Sequence, residues 1–127
     1  MLHGDITDQI IKAFYKVYNS LGYGFLEKVY ENALLIELTT CGLQVAQQHP
    51  IQVLYEKQQV GEYFADLVVN DLIILELKAA ENIRDEHVAQ LTNHLKATRK
   101  EVGLLLNFGG KPEFKRIVFT NSFQKSV

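Results

Sequence analysis

Residues 62–78, Glu-Tyr-Phe-Ala-Asp-Leu-Val-Val-Asn-Asp-Leu-Ile-Ile-Leu-Glu-Leu-Lys, limit the possible folds more than any other part of the chain. They read as two strands joined by a tight turn at Asn70-Asp71. Strand side chains alternate between faces. On the first strand that places Tyr63, Ala65, Leu67 and Val69 together, with Phe64, Asp66 and Val68 opposite. On the second, Ile73, Leu75 and Leu77 share one face, and Leu72, Ile74, Glu76 and Lys78 the other. A charged pair inside an otherwise apolar strand is costly unless something pairs with it, and Asp66 is the expected companion. Two carboxylates and a lysine meeting at one spot would suit a hard divalent cation. A cross-strand ion pair on a surface strand is the plainer alternative.

The remaining composition narrows the class. A chain of 127 residues suits one domain spanning 1–127. With 47% hydrophobic and 22% charged residues it resembles an ordinary soluble globular protein. The net charge of −2 argues against a strongly basic protein that coats nucleic acid. It leaves room for a local basic patch drawn from Lys96, Arg99, Lys100, Lys111, Lys115 and Arg116. Cys41 is the single cysteine and cannot form an internal disulfide, which fits a reducing, cytoplasmic location. No apolar run is long enough to cross a bilayer, and the N-terminus lacks a signal-peptide pattern, so no membrane partner is expected.

The order of elements follows from periodicity. Ile6, Ile10, Ala13, Phe14, Val17 and Leu21 fall at helical spacing, with Thr7 or Asp5 as a cap. Gly22 and Gly24 break that helix. A second helix is expected over residues 26–41, with Leu26, Val29, Tyr30, Ala33 and Leu34 on its apolar side and Gly42 as C-terminal cap. Glu27 in its first turn is favoured there by the helix dipole. Extended segments follow at 43–49 and 51–55, separated by Pro50, then a hairpin turn at 56–59 and the two strands described above. A polar loop leads to a helix over 85–99 with Val88, Leu91 and Leu95 as its core stripe. His87, Gln90 and His94 lie on an adjacent face, where they read as surface residues rather than a zinc site. The apolar run 102–108 reads as a strand buried on both faces. A turn at 109–112, a last strand at 114–119 and a frayed tail after Thr120 complete the chain. The expected fold is α/β, a mixed central sheet with helices on its faces, in the order α-α-β-β-β-β-α-β-β.

Gly24-Phe25-Leu26-Glu27-Lys28-Val29-Tyr30 resembles the GxxExxY signature of a family of small bacterial and archaeal proteins within the PD-(D/E)xK nuclease superfamily. The likeness runs over about residues 6–119. It includes Gly61-Glu62-Tyr63-Phe64-Ala65-Asp66, Leu75-Glu76-Leu77-Lys78, Gln90-Leu91 and Gly103-Leu104-Leu105-Leu106-Asn107-Phe108. The resemblance implies a restriction-endonuclease-like core. In it Asp66 and Glu76 would hold Mg²⁺ or Mn²⁺, and Lys78 would orient the attacking water or stabilise developing charge. It implies Glu27 as the acidic residue of the preceding helix, binding metal directly or through water. Gln90 would orient Lys78 or contact phosphate. The exonuclease-like branch carries Tyr four residues after that Gln, where this chain has His94. Ala65 stands where the superfamily's namesake motif has Pro.

The expected function is therefore metal-dependent hydrolysis of phosphodiester bonds in nucleic acid, DNA more than RNA. The alternative is a non-catalytic accessory module that keeps the fold and binds nucleic acid or protein. A domain of this size has little surface to enclose a duplex, so a homodimer or a partner protein is expected.

Overall fold

A computed structural model of the chain describes residues 1–120. The elements are α1 (Gly4–Leu21), α2 (Glu27–Thr40), β1 (Val45–Tyr55), β2 (Gln58–Val69), β3 (Ile73–Lys78), α3 (Asp85–Thr98), β4 (Val102–Phe108) and β5 (Pro112–Val118). The five strands form one sheet in the order β1-β2-β3-β4-β5. β3 and β4 are parallel and are joined through α3, while the other neighbours are antiparallel. The helix-to-strand crossover expected from the sequence is present. The tail after Thr120 lies outside the described residues.

The sheet has an apolar cluster on each face. One side packs Ile10, Phe14, Tyr30, Leu34 and Leu38 from α1 and α2 onto Leu67, Leu75, Leu104 and Leu106. The other packs Leu91 and Leu95 of α3 onto Ile51, Val68, Ile74 and Leu105. β4 is buried at every position, as its continuous apolar run requires.

Several local expectations need correction. The segments on either side of Pro50 form one strand, so three strands, not four, precede α3. Pro50 is tolerated because β1 is an edge strand. Neither Thr7 nor Asp5 caps α1. Its N-cap is His3 with no side-chain bond, and the Thr7 hydroxyl donates to the Gly4 carbonyl at 3.0 Å. On α2 the buried stripe is Tyr30, Leu34 and Leu38, whereas Leu26 and Val29 are exposed. The last strand begins two residues early, at Pro112, also on an edge. Gly42 does end α2, with positive φ, and its N–H donates to the Thr39 carbonyl. Both hairpin turns are present, each built from two residues of positive φ: Glu56-Lys57, which contains no glycine, and Asn70-Asp71.

Tyr30 links these elements to the site. Its ring is fully buried and stacks on Phe108 of β4, with centroids 4.4 Å apart. Its hydroxyl donates to the Gly22 carbonyl at 2.6 Å and accepts the Phe25 N–H at 3.2 Å. The loop between α1 and α2, and with it the first turn of α2, is thereby pinned over the sheet.

Candidate active site

The site is built where β3 leaves the sheet. The β2–β3 register pairs Val69 with Ile73, Val68 with Ile74 and Leu67 with Leu75. One step further the backbone ladder gives way to a side chain: Asp66 Oδ2 accepts the Leu77 N–H at 2.8 Å. Leu77 lies between Glu76 and Lys78, so Asp66 is tied directly to the backbone of the Glu-Leu-Lys segment. Glu27, in the first turn of α2, reaches the residue after Lys78, its Oε2 accepting the Ala79 N–H at 3.3 Å. The structure thus gathers Asp66, Glu27 and the Glu76–Lys78 backbone at one end of β3.

Strict alternation along β2 fails at this point. Ala65 and Val68 both pack in the cluster under α3, while Leu67 and Val69 face α1 and α2. The change of face falls at Asp66, between the pairs Gln47–Leu67 and His49–Ala65 of the β1–β2 register. The residue between Gln47 and His49 on β1 is Gln48, which adopts a left-handed backbone, φ 51°. For a residue other than glycine this conformation costs roughly 1 kcal/mol. Gln48 Nε2 donates to Glu31 Oε1 at 3.0 Å and Oε2 at 3.2 Å, and lies 3.5 Å from Asp66 Oδ1. Glu31, buried on α2, also accepts from Lys28 at 2.9 Å and from Gln47 at 2.7 Å.

Burial pushes the Asp66 carboxyl above its ordinary pKa. The Leu77 N–H opposes that rise, the charges of Glu76 and Glu31 add to it, and the Gln48 amide opposes it. Glu76 is only 4% exposed and is met from α3 by His94, whose Nδ1 donates to Glu76 Oε2 at 2.6 Å. The Tyr63 ring lies against the imidazole, centroids 5.4 Å apart. His94 is therefore a buried partner of Glu76, contrary to its reading as a surface residue. The signal was in the sequence: Leu91, His94 and Leu95 share the three-and-four spacing of one helix face. Gln48 gave no comparable signal, because no spacing pattern announces a glutamine of positive φ.

Lys78 is half-buried and pairs with Asn107 in the β3–β4 register, and its side chain makes no hydrogen bond among the described residues. Gln90 is exposed and makes no hydrogen bond to Lys78. It lines an open groove of about 1070 Å³ between β1 and α3 together with His49, Tyr63, Asn93, His94 and Arg99. Asp66, Glu76, Lys78 and Glu27 do not line that groove.

The donor chemistry fits a hard divalent cation. Among the described residues no three His, Cys, Asp or Glu side chains form a ready-made metal cage. Mg²⁺ does not need one: it commonly uses one or two carboxylates, with waters and substrate phosphate completing its shell. Glu76 is engaged only through Oε2, which leaves Oε1 as a donor. Asp66 offers Oδ1, whose one contact is the 3.5 Å approach of Gln48.

A five-stranded mixed sheet with an acidic, lysine-bearing end to its third strand defines a nuclease-like α/β protein. A family model described as PD-(D/E)XK nuclease superfamily matches residues 4–117, and the chain belongs to that superfamily. Two solved structures share the fold. An alkaline exonuclease (LHK-Exo) from Laribacter hongkongensis aligns at TM-score 0.56 and 12% identity, over 78% of this chain and 59% of that one. The protein SSO0001 aligns at TM-score 0.59 and 15% identity, over 93% of this chain and 60% of its own. The chain thus spans about 60% of the length of each. A comparison with curated proteins found no match.

Proposed function

We propose that this chain is a divalent-metal-dependent nuclease that hydrolyses phosphodiester bonds of nucleic acid, with Asp66 and Glu76 as the Mg²⁺ or Mn²⁺ ligands. The observation that carries this reading is the 2.8 Å bond from the Leu77 N–H to Asp66 Oδ2, which joins the two halves of the superfamily motif. A cation held there would neutralise phosphate charge and acidify the attacking water. Asp66, half-buried on β2, offers a hard oxygen whose charge is disfavoured by burial and by the nearby Glu76 and Glu31 carboxylates. His94 fixes Glu76 from behind through Oε2 and leaves the other oxygen for the ion. Lys78, two residues after Glu76 on β3, orients the attacking water or stabilises charge on the phosphate. Glu27, bonded to the N–H of the residue after Lys78, serves as a further acid, acting through water. Gln90, on the groove side of α3, suits contact with a phosphate of the substrate strand.

The test is calorimetric titration of Mg²⁺ and Mn²⁺ into the wild type and into an Asp66→Ala/Glu76→Ala double variant. Binding in the first and none in the second is expected. Equal binding in both would remove these carboxylates from the metal site. The net charge of −2 keeps one second reading in view, a binding module that does not cut. It predicts nucleic-acid binding that is indifferent to the double substitution.

A further inference from the structure

Gln48 is placed unlike any other polar residue near the site. It sits on an edge strand, in the register gap opposite the point where β2 changes face, and its φ of 51° belongs to the left-handed region. Non-glycine residues held in that region are kept there by their surroundings and concentrate at functional sites. Here the surroundings are two carboxylates from different elements. The amide donates to both oxygens of Glu31 on α2 and approaches Asp66 Oδ1 on β2. An extended backbone at this position would follow strand alternation, and the side chain would no longer be turned by the left-handed kink.

We propose that Gln48 is a positioning residue of the metal site: its kinked backbone directs the side-chain amide between Glu31 and Asp66, holding Asp66 in the orientation that binds the cation. The proposal rests on the metal-site reading above and adds to it a specific outer partner for Asp66. Asp66 is then fixed from two sides, by the Leu77 N–H on Oδ2 and by Gln48 beside Oδ1. Partners of this kind orient ligating carboxylates, and their loss typically weakens metal affinity by 10- to 100-fold. Glu31 anchors the amide and is itself held by Lys28 and Gln47. The pair of β1 glutamines thereby divides the work: Gln47 reaches Glu31 and Asn32, while Gln48 alone extends to Asp66.

The experiment compares Mn²⁺ affinity by calorimetry, and melting temperature, in the wild type, Gln48→Gly and Gln47→Ala. Glycine accepts the left-handed backbone without strain, so Gln48→Gly removes the amide while easing the kink. The expected result is Mn²⁺ binding about 10- to 100-fold weaker in Gln48→Gly, with a melting temperature no lower than that of Gln47→Ala. Gln47→Ala removes one hydrogen bond donated to Glu31 but leaves Lys28 and the Gln48 amide on it, and should bind Mn²⁺ within about threefold of the wild type; this margin is well below the effect of losing an outer partner. Unchanged affinity in Gln48→Gly overturns the role of Gln48 and leaves the metal-site reading standing. Equal weakening in both variants also overturns it, because the effect would then run through Glu31 and the packing of α2. A wild type that binds neither Mn²⁺ nor Mg²⁺ overturns both readings.

Discussion

The charge of Asp66 is disfavoured in this fold. Burial raises its carboxyl pKa, and Glu76 and Glu31 raise it further against the pull of the Leu77 N–H and the Gln48 amide. The folded state therefore holds this proton more tightly than the unfolded chain, whose Asp titrates near about 3.9. Stability attributable to this group is full below that value and is lost as pH rises through the raised folded pKa. Asp66→Asn keeps an acceptor for the Leu77 N–H and abolishes the charge. It should melt at a higher temperature than the wild type at pH 7 in metal-free buffer, with the gap closing as pH falls below about 4. Thermal melts across that range test this. A variant less stable at pH 7 would show that the carboxylate is compensated by contacts other than those described. A divalent cation bound at Asp66 would stabilise the wild type, since it would offset the burial and like-charge cost of the carboxylate.

At the scale of elements, the β3–α3 loop is held by a side chain that sequence reasoning quoted only as part of a motif. Asn107, fully buried at the end of β4, accepts the Ala80 N–H and donates to the Ala80 carbonyl, both at 2.9 Å. This latch fixes the chain two residues beyond Lys78. Gly109 makes it possible, because a Cβ there would lie 2.1 Å from the Ala80 carbonyl oxygen, a backbone atom that cannot swing aside. Gly109→Ala should therefore lower stability by about 3 kcal/mol, read from urea denaturation. A loss below about 1 kcal/mol would mean that the loop is not locked as described. The sequence disclosed the elements wherever an apolar period was strong, as in β4 and along Leu91 and Leu95. It disclosed the turns at Asn70-Asp71 and Glu56-Lys57 from composition and spacing. It did not disclose that β1 runs through Pro50, because edge position is a property of the assembled sheet. Nor did it disclose the change of face at Asp66, because alternation assumes an unbroken strand.

At the scale of the molecule, chemistry and fold point the same way through separate observations. The superfamily model covers residues 4–117, and Asp66 is bonded to the backbone of the Glu76–Lys78 segment at the end of β3. Asp66, Glu76, Lys78 and Glu27 were legible as candidates because charges stand out in apolar strands and at a helix start. The contacts of Gln48 and Glu31 were not, since they join elements far apart in the chain, and the burial of His94 was signalled only by its spacing with Leu91 and Leu95. The basic residues considered as a phosphate-binding patch are partly committed elsewhere: Lys100 pairs with Asp71, and Arg116 donates to the Leu2 carbonyl. Among the described residues no helix is long and apolar enough to cross a membrane. The most direct test of the account is cleavage of end-labelled single- and double-stranded DNA and RNA by the purified protein, with Mg²⁺, with Mn²⁺ and with EDTA, alongside Asp66→Ala. The account predicts metal-dependent cleavage of at least one substrate, abolished by EDTA and reduced by at least about 1000-fold in Asp66→Ala, on the scale of losing an essential catalytic group. Binding without cleavage under every condition, or cleavage that survives Asp66→Ala, would contradict it.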